Sequence, residues 1–484
     1  MIMVRSALFK SLAVIPLLLP LGAFAEALPK AVSQPLQALG IPASSVAVAV
    51  QEVGSARPSF TLNAERSMNP ASVMKLFTTY AGLELLGPAY RWKTEAYLDA
   101  EHVVLRGKGD PKLNYEGFWT LLRALRVRGV REIRGDVVLD RSWFGEVADG
   151  RIDNETFRPY NVTPDALLVN FRSLRFGFVP EPAGRVHVFA EPALPGLELI
   201  NSLALSEGAC PEGRAFRELI QAGFRSRPPQ ARFTGRYPAS CGERDLNVAL
   251  HEPEDYVAAM IRHLWSELGG TWHGSLRNGT PSPSARLVHV HESEPLAQIV
   301  RDVNKFSNNV MARQLYLTLA AERGGAPARP EMALHSIREL LKSKAMAAPE
   351  LVIENGSGLS RNERASAATI AALLHAAWHS AVMPEFMSSL PVAAVDGTMR
   401  KRLLGGGVAG HAHIKTGLLA DARSIAGYVL DRNGKRHAVV MLVNHPRAGE
   451  AQPALDAFLE WVYSGATGPA SATSRRPAAS QRRP

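Results

Sequence analysis

The spacing of apolar and polar positions changes character several times along the chain. An apolar run from Ser11 to Leu21 follows Arg5 and Lys10 and precedes Ala23-Phe24-Ala25. A basic start, a short apolar core and an A-x-A site predict an export signal, residues 1–25, cleaved after Ala25. The run is too short to cross a bilayer comfortably, and no later stretch is long and apolar enough to predict a transmembrane helix. The run Ser45 to Val53 then predicts a strand. A helix is predicted from Pro70, with Asn69 as N-cap and Gly87-Pro88 as its stop. Ser72 falls in its first turn, where unpaired amides and the helix dipole favour negative charge.

From about Thr94 to His251 the pattern turns to short alternating segments such as His102–Leu105, Asp136–Leu139 and Arg185–Ala190, punctuated by glycine and proline. This predicts a mostly β insertion over residues 93–254, divided into two small domains. Helical spacing returns from Val303 to Arg323, with Ser307 near its start, and from Ala367 to Ala381. His411–Gly417 predicts a strand, and Ser424–Leu430 with Arg436–Val443 predicts a hairpin around Asn433-Gly434. The expected fold class is α/β (α+β): a late antiparallel sheet flanked by helices, with β insertions. Residues 26–92 and 255–464 are expected to form one discontinuous domain. The Ala, Ser, Pro and Arg tail, 465–484, cannot bury a core and is expected to be disordered.

Composition changes this picture little. The formal net charge of +10 includes the leader's basic residues and four tail arginines, so the body is mildly basic. That suits an anionic cell envelope, and no basic helix interleaved with aromatics points to nucleic acid. The two cysteines, Cys210 and Cys241, lie in a loop-rich segment. In an exported chain they are expected to form a disulfide.

The candidate chemistry lies in three motifs in fixed order: Ser72-Val73-Met74-Lys75, Ser307-Asn308-Asn309 and Lys415-Thr416-Gly417. They read S-x-x-K, S-x-N and K-T-G, a set close to that of penicillin-binding proteins and class A β-lactamases. A serine hydroxyl needs a base within hydrogen-bond reach, and positions i and i+3 share a helix face. Lys75 can be that base for Ser72 if desolvation and a second cation, Lys415, strip its proton. Ser307 can relay a proton between Lys75 and a leaving amine. Asn309 can hold Lys75 or donate to a substrate carbonyl. Lys415 and Thr416 can take a carboxylate. Gly417 is expected to let substrate backbone lie close to the strand. The amides of Ser72 and Leu418 are candidates for an oxyanion hole.

Further segments carry a family resemblance: Asn69–Leu76, Asn355-Gly356-Ser357-Gly358-Leu359-Ser360, Asp396-Gly397-Thr398-Met399 and Ala426-Gly427-Tyr428. Over most of residues 30–460 the chain resembles the class C low-molecular-mass penicillin-binding proteins, which are D-alanyl-D-alanine carboxypeptidases and endopeptidases. The resemblance implies a penicillin-binding-protein fold and a periplasmic location. It implies an enzyme without a metal or other cofactor that acts on peptidoglycan stem peptides and is acylated by β-lactams at Ser72. It implies Lys75 as base, Ser307 and Asn309 completing the site, and Lys415 anchoring substrate. Asn355 departs from the family's usual aspartate, and Leu418 from its usual small residue.

Two features stand outside the motifs. His289 with His291, and His411 with His413, fall on one face of a strand, but neither pair has an evident third metal ligand. Asp153 and Glu155 precede Tyr160–Pro164, where the family's second domain approaches the cleft; they are candidates for reading a diaminopimelate amine, or form a solvated acidic loop. Two competing functions remain: a serine β-lactamase, which would need a water activator for rapid deacylation, and a non-catalytic peptidoglycan-binding protein, against which the intact motifs argue.

Overall fold

A computed structural model describes residues 28–147, 153, 155–182 and 184–465. The export signal, and the tail beyond residue 465, lie outside the described residues. The main sheet has five antiparallel strands in the order Ala412–Leu418, Ala422–Leu430, Arg436–Asn444, Val46–Glu52 and Phe60–Leu62. Val46–Glu52 is near-continuously apolar because both faces of the sheet are covered. Val46, Val48 and Val50 face one apolar cluster, with Leu455 and Phe458 of helix Gln452–Tyr463. Ala47 and Ala49 face another, with helix residues such as Phe77, Leu315 and Ile370. That alternation is the period-two geometry of a strand.

The second cluster is built around helix Lys75–Leu86, in which Lys75 to Leu83 are all buried. Helices Leu296–Lys305, Asn309–Gly324, Pro330–Ser343 and Ala367–Trp378 pack about it. Because Val46–Glu52 pairs with Arg436–Asn444 along its length, the two ends of the chain share one sheet.

The intervening region contains a second five-stranded sheet, in the order Leu276–Asn278, Val137–Asp140, His102–Arg106, Lys93–Asp99 and Arg286–Glu292. This carries the inserted unit past the expected limit at residue 254. Arg286–Glu292 ladders with Lys93–Asp99, and helix Pro253–Glu267 puts Tyr256, Met260 and Leu264 into the same cluster as Leu121 and Leu125. That helix and Tyr115–Val127 also make the unit less purely β than expected. Cys210 and Cys241 are joined in a disulfide that closes a separation of 31 residues.

Two further expectations change at element ends. The predicted helix Val303–Arg323 is two helices, broken at Ser307, which adopts φ 55°. Asn308 supplies the reason: its side chain accepts from the Met311 amide at 3.1 Å and starts the second helix afresh. The helix predicted from Pro70 begins as a 3-10 turn, Ala71–Met74, and becomes α-helical at Lys75. Gly87 ends it at φ 84°, as expected.

Candidate active site

The nucleophile turn is shaped by its own sequence. Asn69 Oδ1 accepts from the Ala71 amide at 2.9 Å, and Ala71 takes φ 46°. The 3-10 turn that follows has three residues per turn, so Ser72 and Lys75 eclipse. Lys75 Nζ lies 2.9 Å from Ser72 Oγ, 2.6 Å from Asn309 Oδ1 and 2.5 Å from the Ser357 carbonyl.

The surroundings favour a neutral amine. Lys75 is fully buried. Burial holds its pKa well below the usual lysine range; the charge of Lys415 lowers it further, and Glu363 opposes both. Lys415 is also fully buried, and desolvation brings it down to about 7. It donates to Ser307 Oγ at 2.8 Å and to the Thr416 carbonyl at 2.7 Å. Ser307 is thus held by Lys415, whereas Asn309 is the S-x-N residue that touches Lys75.

Ser307 is positioned from both sides. Lys305, buried just before it, donates to Asp396 Oδ2 at 2.7 Å, Asp396 Oδ1 at 2.9 Å and the Leu390 carbonyl at 2.6 Å. Asp396 begins the D-G-T segment, whose Thr398 hydroxyl accepts from Thr416 at 2.9 Å. The S-x-N turn and the K-T-G strand are therefore tied to one loop.

The motif glycines answer to the protein's own backbone. A Cβ on Gly417 would lie 2.2 Å from Ser424 Oγ and 2.8 Å from the Pro70 carbonyl. The missing side chain of Gly417 thus admits the nucleophile turn, a packing reason for glycine that stands beside the expected one. Gly358, at φ 78°, packs so closely that a Cβ would lie 2.0 Å from the Ala71 carbonyl oxygen.

Asn309 of the S-x-N motif lines a cleft of about 330 Å³, together with Leu418, which follows the K-T-G motif, and Arg361, Asp421, Tyr160 and Asp153. Leu418 is 58% exposed there. Asp153 accepts from the Tyr160 hydroxyl and from Asn161 Nδ2, each at 2.7 Å, and its carboxyl sits below the usual range despite partial desolvation. Glu155 turns away, to Arg217 at 2.9 Å and Arg158 at 3.3 Å. A larger groove of about 800 Å³ on the inserted unit contains none of the motif residues.

The histidine pairs do not converge on a site. His411 precedes its strand and packs on Tyr463, with ring centroids 5.3 Å apart, while His413 is inside the strand. Among the described residues, no group of three or more His, Cys, Asp or Glu is placed to hold a metal ion, and no helix is long and apolar enough to cross a membrane. Glu363, Lys305 and Arg361 were not singled out from the sequence. Each lies within a few residues of a motif, but nothing in residue type or spacing marks it.

The chain is similar to known proteins over most of its length. A D-alanyl-D-alanine carboxypeptidase of Actinomadura sp. (strain R39) is 28% identical over 434 residues, 84% of this chain and 78% of the relative. The D-alanyl-D-alanine carboxypeptidase DacB of Haemophilus influenzae is 23% identical over 412 residues, 81% of this chain and 83% of the relative. The crystal structure of penicillin binding protein 4 (dacB) from Haemophilus influenzae matches with a TM-score of 0.72 at 21% identity, covering 90% of this chain and 99% of that one. The model of the D-Ala-D-Ala carboxypeptidase 3 (S13) family matches residues 28–462. The chain belongs to that family: it is a serine-type peptidase with the penicillin-binding-protein fold.

Proposed function

We propose that this protein is an exported, periplasmic serine DD-peptidase that cleaves the D-Ala-D-Ala bond of peptidoglycan stem peptides through a Ser72 acyl-enzyme, cleaves D-Ala-diaminopimelate crosslinks by the same chemistry, and is inactivated by penicillin. The observation that carries this reading is the 2.9 Å contact between Ser72 Oγ and a buried, proton-poor Lys75. A neutral amine accepts the serine proton as Oγ attacks the carbonyl of the penultimate D-Ala. The amides of Ser72 and Leu418 receive the developing oxyanion.

Among the described residues no carboxylate hydrogen-bonds to Lys415, so it is available to the substrate's terminal carboxylate, with Thr416 beside it. Ser307, held by Lys415, relays to the leaving amine the proton that Lys75 took from Ser72, so Lys75 is neutral again when the acyl-enzyme forms. Asn309 holds Lys75 and faces the acyl group. Asp153, which lines the same cleft as Asn309, would take a cationic side chain such as the diaminopimelate amine. A β-lactam presents the same acyl group and carboxylate and is taken as a substrate that does not leave. The related Haemophilus influenzae protein has been solved in complex with a β-lactam.

Intact-mass detection of a penicillin adduct, mapped to the peptide containing Ser72, tests the nucleophile. The adduct is expected on the mature chain and absent from Ser72→Ala. Muropeptide digestion tests the substrate: released D-Ala marks carboxypeptidase action, and conversion of dimers to monomers marks crosslink cleavage. Rapid hydrolysis of penicillin with neither product would replace this reading with a β-lactamase.

A further inference from the structure

We propose that Glu363 is a positioning residue for the base: through Asn355 its buried carboxyl holds the Ser357 carbonyl to which Lys75 donates, and its charge biases how tightly Lys75 keeps a proton. This rests on the reading of Ser72 and Lys75 as nucleophile and base.

The geometry is a chain of contacts behind the amine. Glu363 is fully buried. Its Oε1 faces the Asn355 amide at 3.5 Å. Asn355 Oδ1 accepts from the Ser357 amide at 2.9 Å and from the Ser357 hydroxyl at 2.7 Å, while Asn355 Nδ2 donates to the Leu359 carbonyl at 3.0 Å. The Ser357 carbonyl accepts from Lys75 Nζ at 2.5 Å. The other carboxyl oxygen, Oε2, is buried with no hydrogen-bond partner among the described residues. A buried polar atom left without a partner is costly and calls for a reason.

Four groups set the charge at this point. Lys75 on the nucleophile helix attracts a carboxylate, and the charge of Lys415 in turn opposes protonation of Lys75. Exposed Glu354, at the start of the loop, repels one. Tyr316, on helix Asn309–Gly324, is held neutral by burial and then by Glu363. Burial pushes Glu363 up to about 8; the Asn355 amide opposes this, the side-chain charge of Glu354 adds to it, and the Glu354 amide and Lys75 oppose it. The carboxyl is therefore largely protonated beside a neutral Lys75 and ionises more readily when Lys75 gains the Ser72 proton. An anion there stabilises the ammonium form, which makes Lys75 a stronger base than burial alone would allow.

The measurement is the rate of acylation by a fluorescent penicillin as a function of pH, in the full mature protein. The acidic limb reports Lys75 losing its proton. Glu363→Gln keeps the shape and removes the anion, so the limb should move down by about one pH unit while the plateau falls. Glu354→Gln, at an exposed position, removes a repelling charge from Glu363 and should move the limb upward. Opposite shifts support the proposal, because a loop that was only loosened would lower the rate without moving the limb. A limb that stays put in a folded Glu363→Gln protein overturns it. If that variant does not fold, an unmoved limb in Glu354→Gln overturns it alone. A wild-type protein that is never acylated at Ser72 refutes the underlying reading instead.

Discussion

Replacing Gly358 with alanine tests how the nucleophile turn is held. The added Cβ would lie 2.0 Å from the Ala71 carbonyl oxygen, 2.5 Å from its carbon and 2.9 Å from the Ser72 nitrogen, where ordinary contact is 3.4–4 Å. Those atoms are backbone, so either the loop or the Ala71-Ser72 peptide must retreat by more than an ångström. The residue also sits at φ 78°, which costs an L residue roughly 1–2 kcal/mol. Misplacing a catalytic group by about 1 Å lowers the rate by about 10²-fold. The assay is the second-order rate of acylation by a fluorescent penicillin, paired with a thermal melt. Gly405→Ala is the control: Gly405 has the same φ of 78°, but a Cβ there meets nothing within 4 Å. Both variants should lose comparable stability from the backbone strain, and Gly358→Ala should lose more. Only Gly358→Ala should acylate about 10²-fold more slowly. Acylation of Gly358→Ala at the wild-type rate would refute the argument that this loop sets the position of Ser72.

Three other outcomes are expected. Lys75→Ala should lower penicillin acylation by about 10²–10⁴-fold with the melt still cooperative, since it removes the amine 2.9 Å from Ser72 Oγ. Lys415 is cationic below about 7 and neutral above it, so KM for a peptide ending in a free carboxylate should rise as pH climbs through that value. Lys415→Met should raise KM throughout and remove that dependence in steady-state assays. Replacing Cys210 and Cys241 together with serine opens a separation of 31 residues and should destabilise the inserted unit by roughly 3–4 kcal/mol in denaturant melts, leaving acylation at the distant cleft unchanged.

What the residues alone determined is what depends on near neighbours in the chain. Ser72 and Lys75 meet because three positions make one turn, whether that turn is 3-10 or α. The strands of the main sheet follow from runs of apolar residues, and the final hairpin from Asn433-Gly434 between two of them. The order of three motifs sufficed to mark the family. Where local rules competed, the reading slipped: helical spacing ran through Ser307, although Asn308 is a good cap that restarts the helix there.

Only the tertiary structure decided which partners arrive from far away. Lys75 and Ser357 are 282 residues apart, and Lys305 and Asp396 are 91 apart. That Ser307 rests on Lys415 while Asn309 takes Lys75 is set by how two helices and a strand edge converge. The role of Gly417 depends on Pro70 and Ser424 packing against it. Glu363 is one carboxylate among many in the sequence until folding removes its water and sets it behind the loop that holds Lys75. Burial and distant contact are properties of the packed chain. They raise or lower a proton's affinity by amounts that residue type and spacing do not encode.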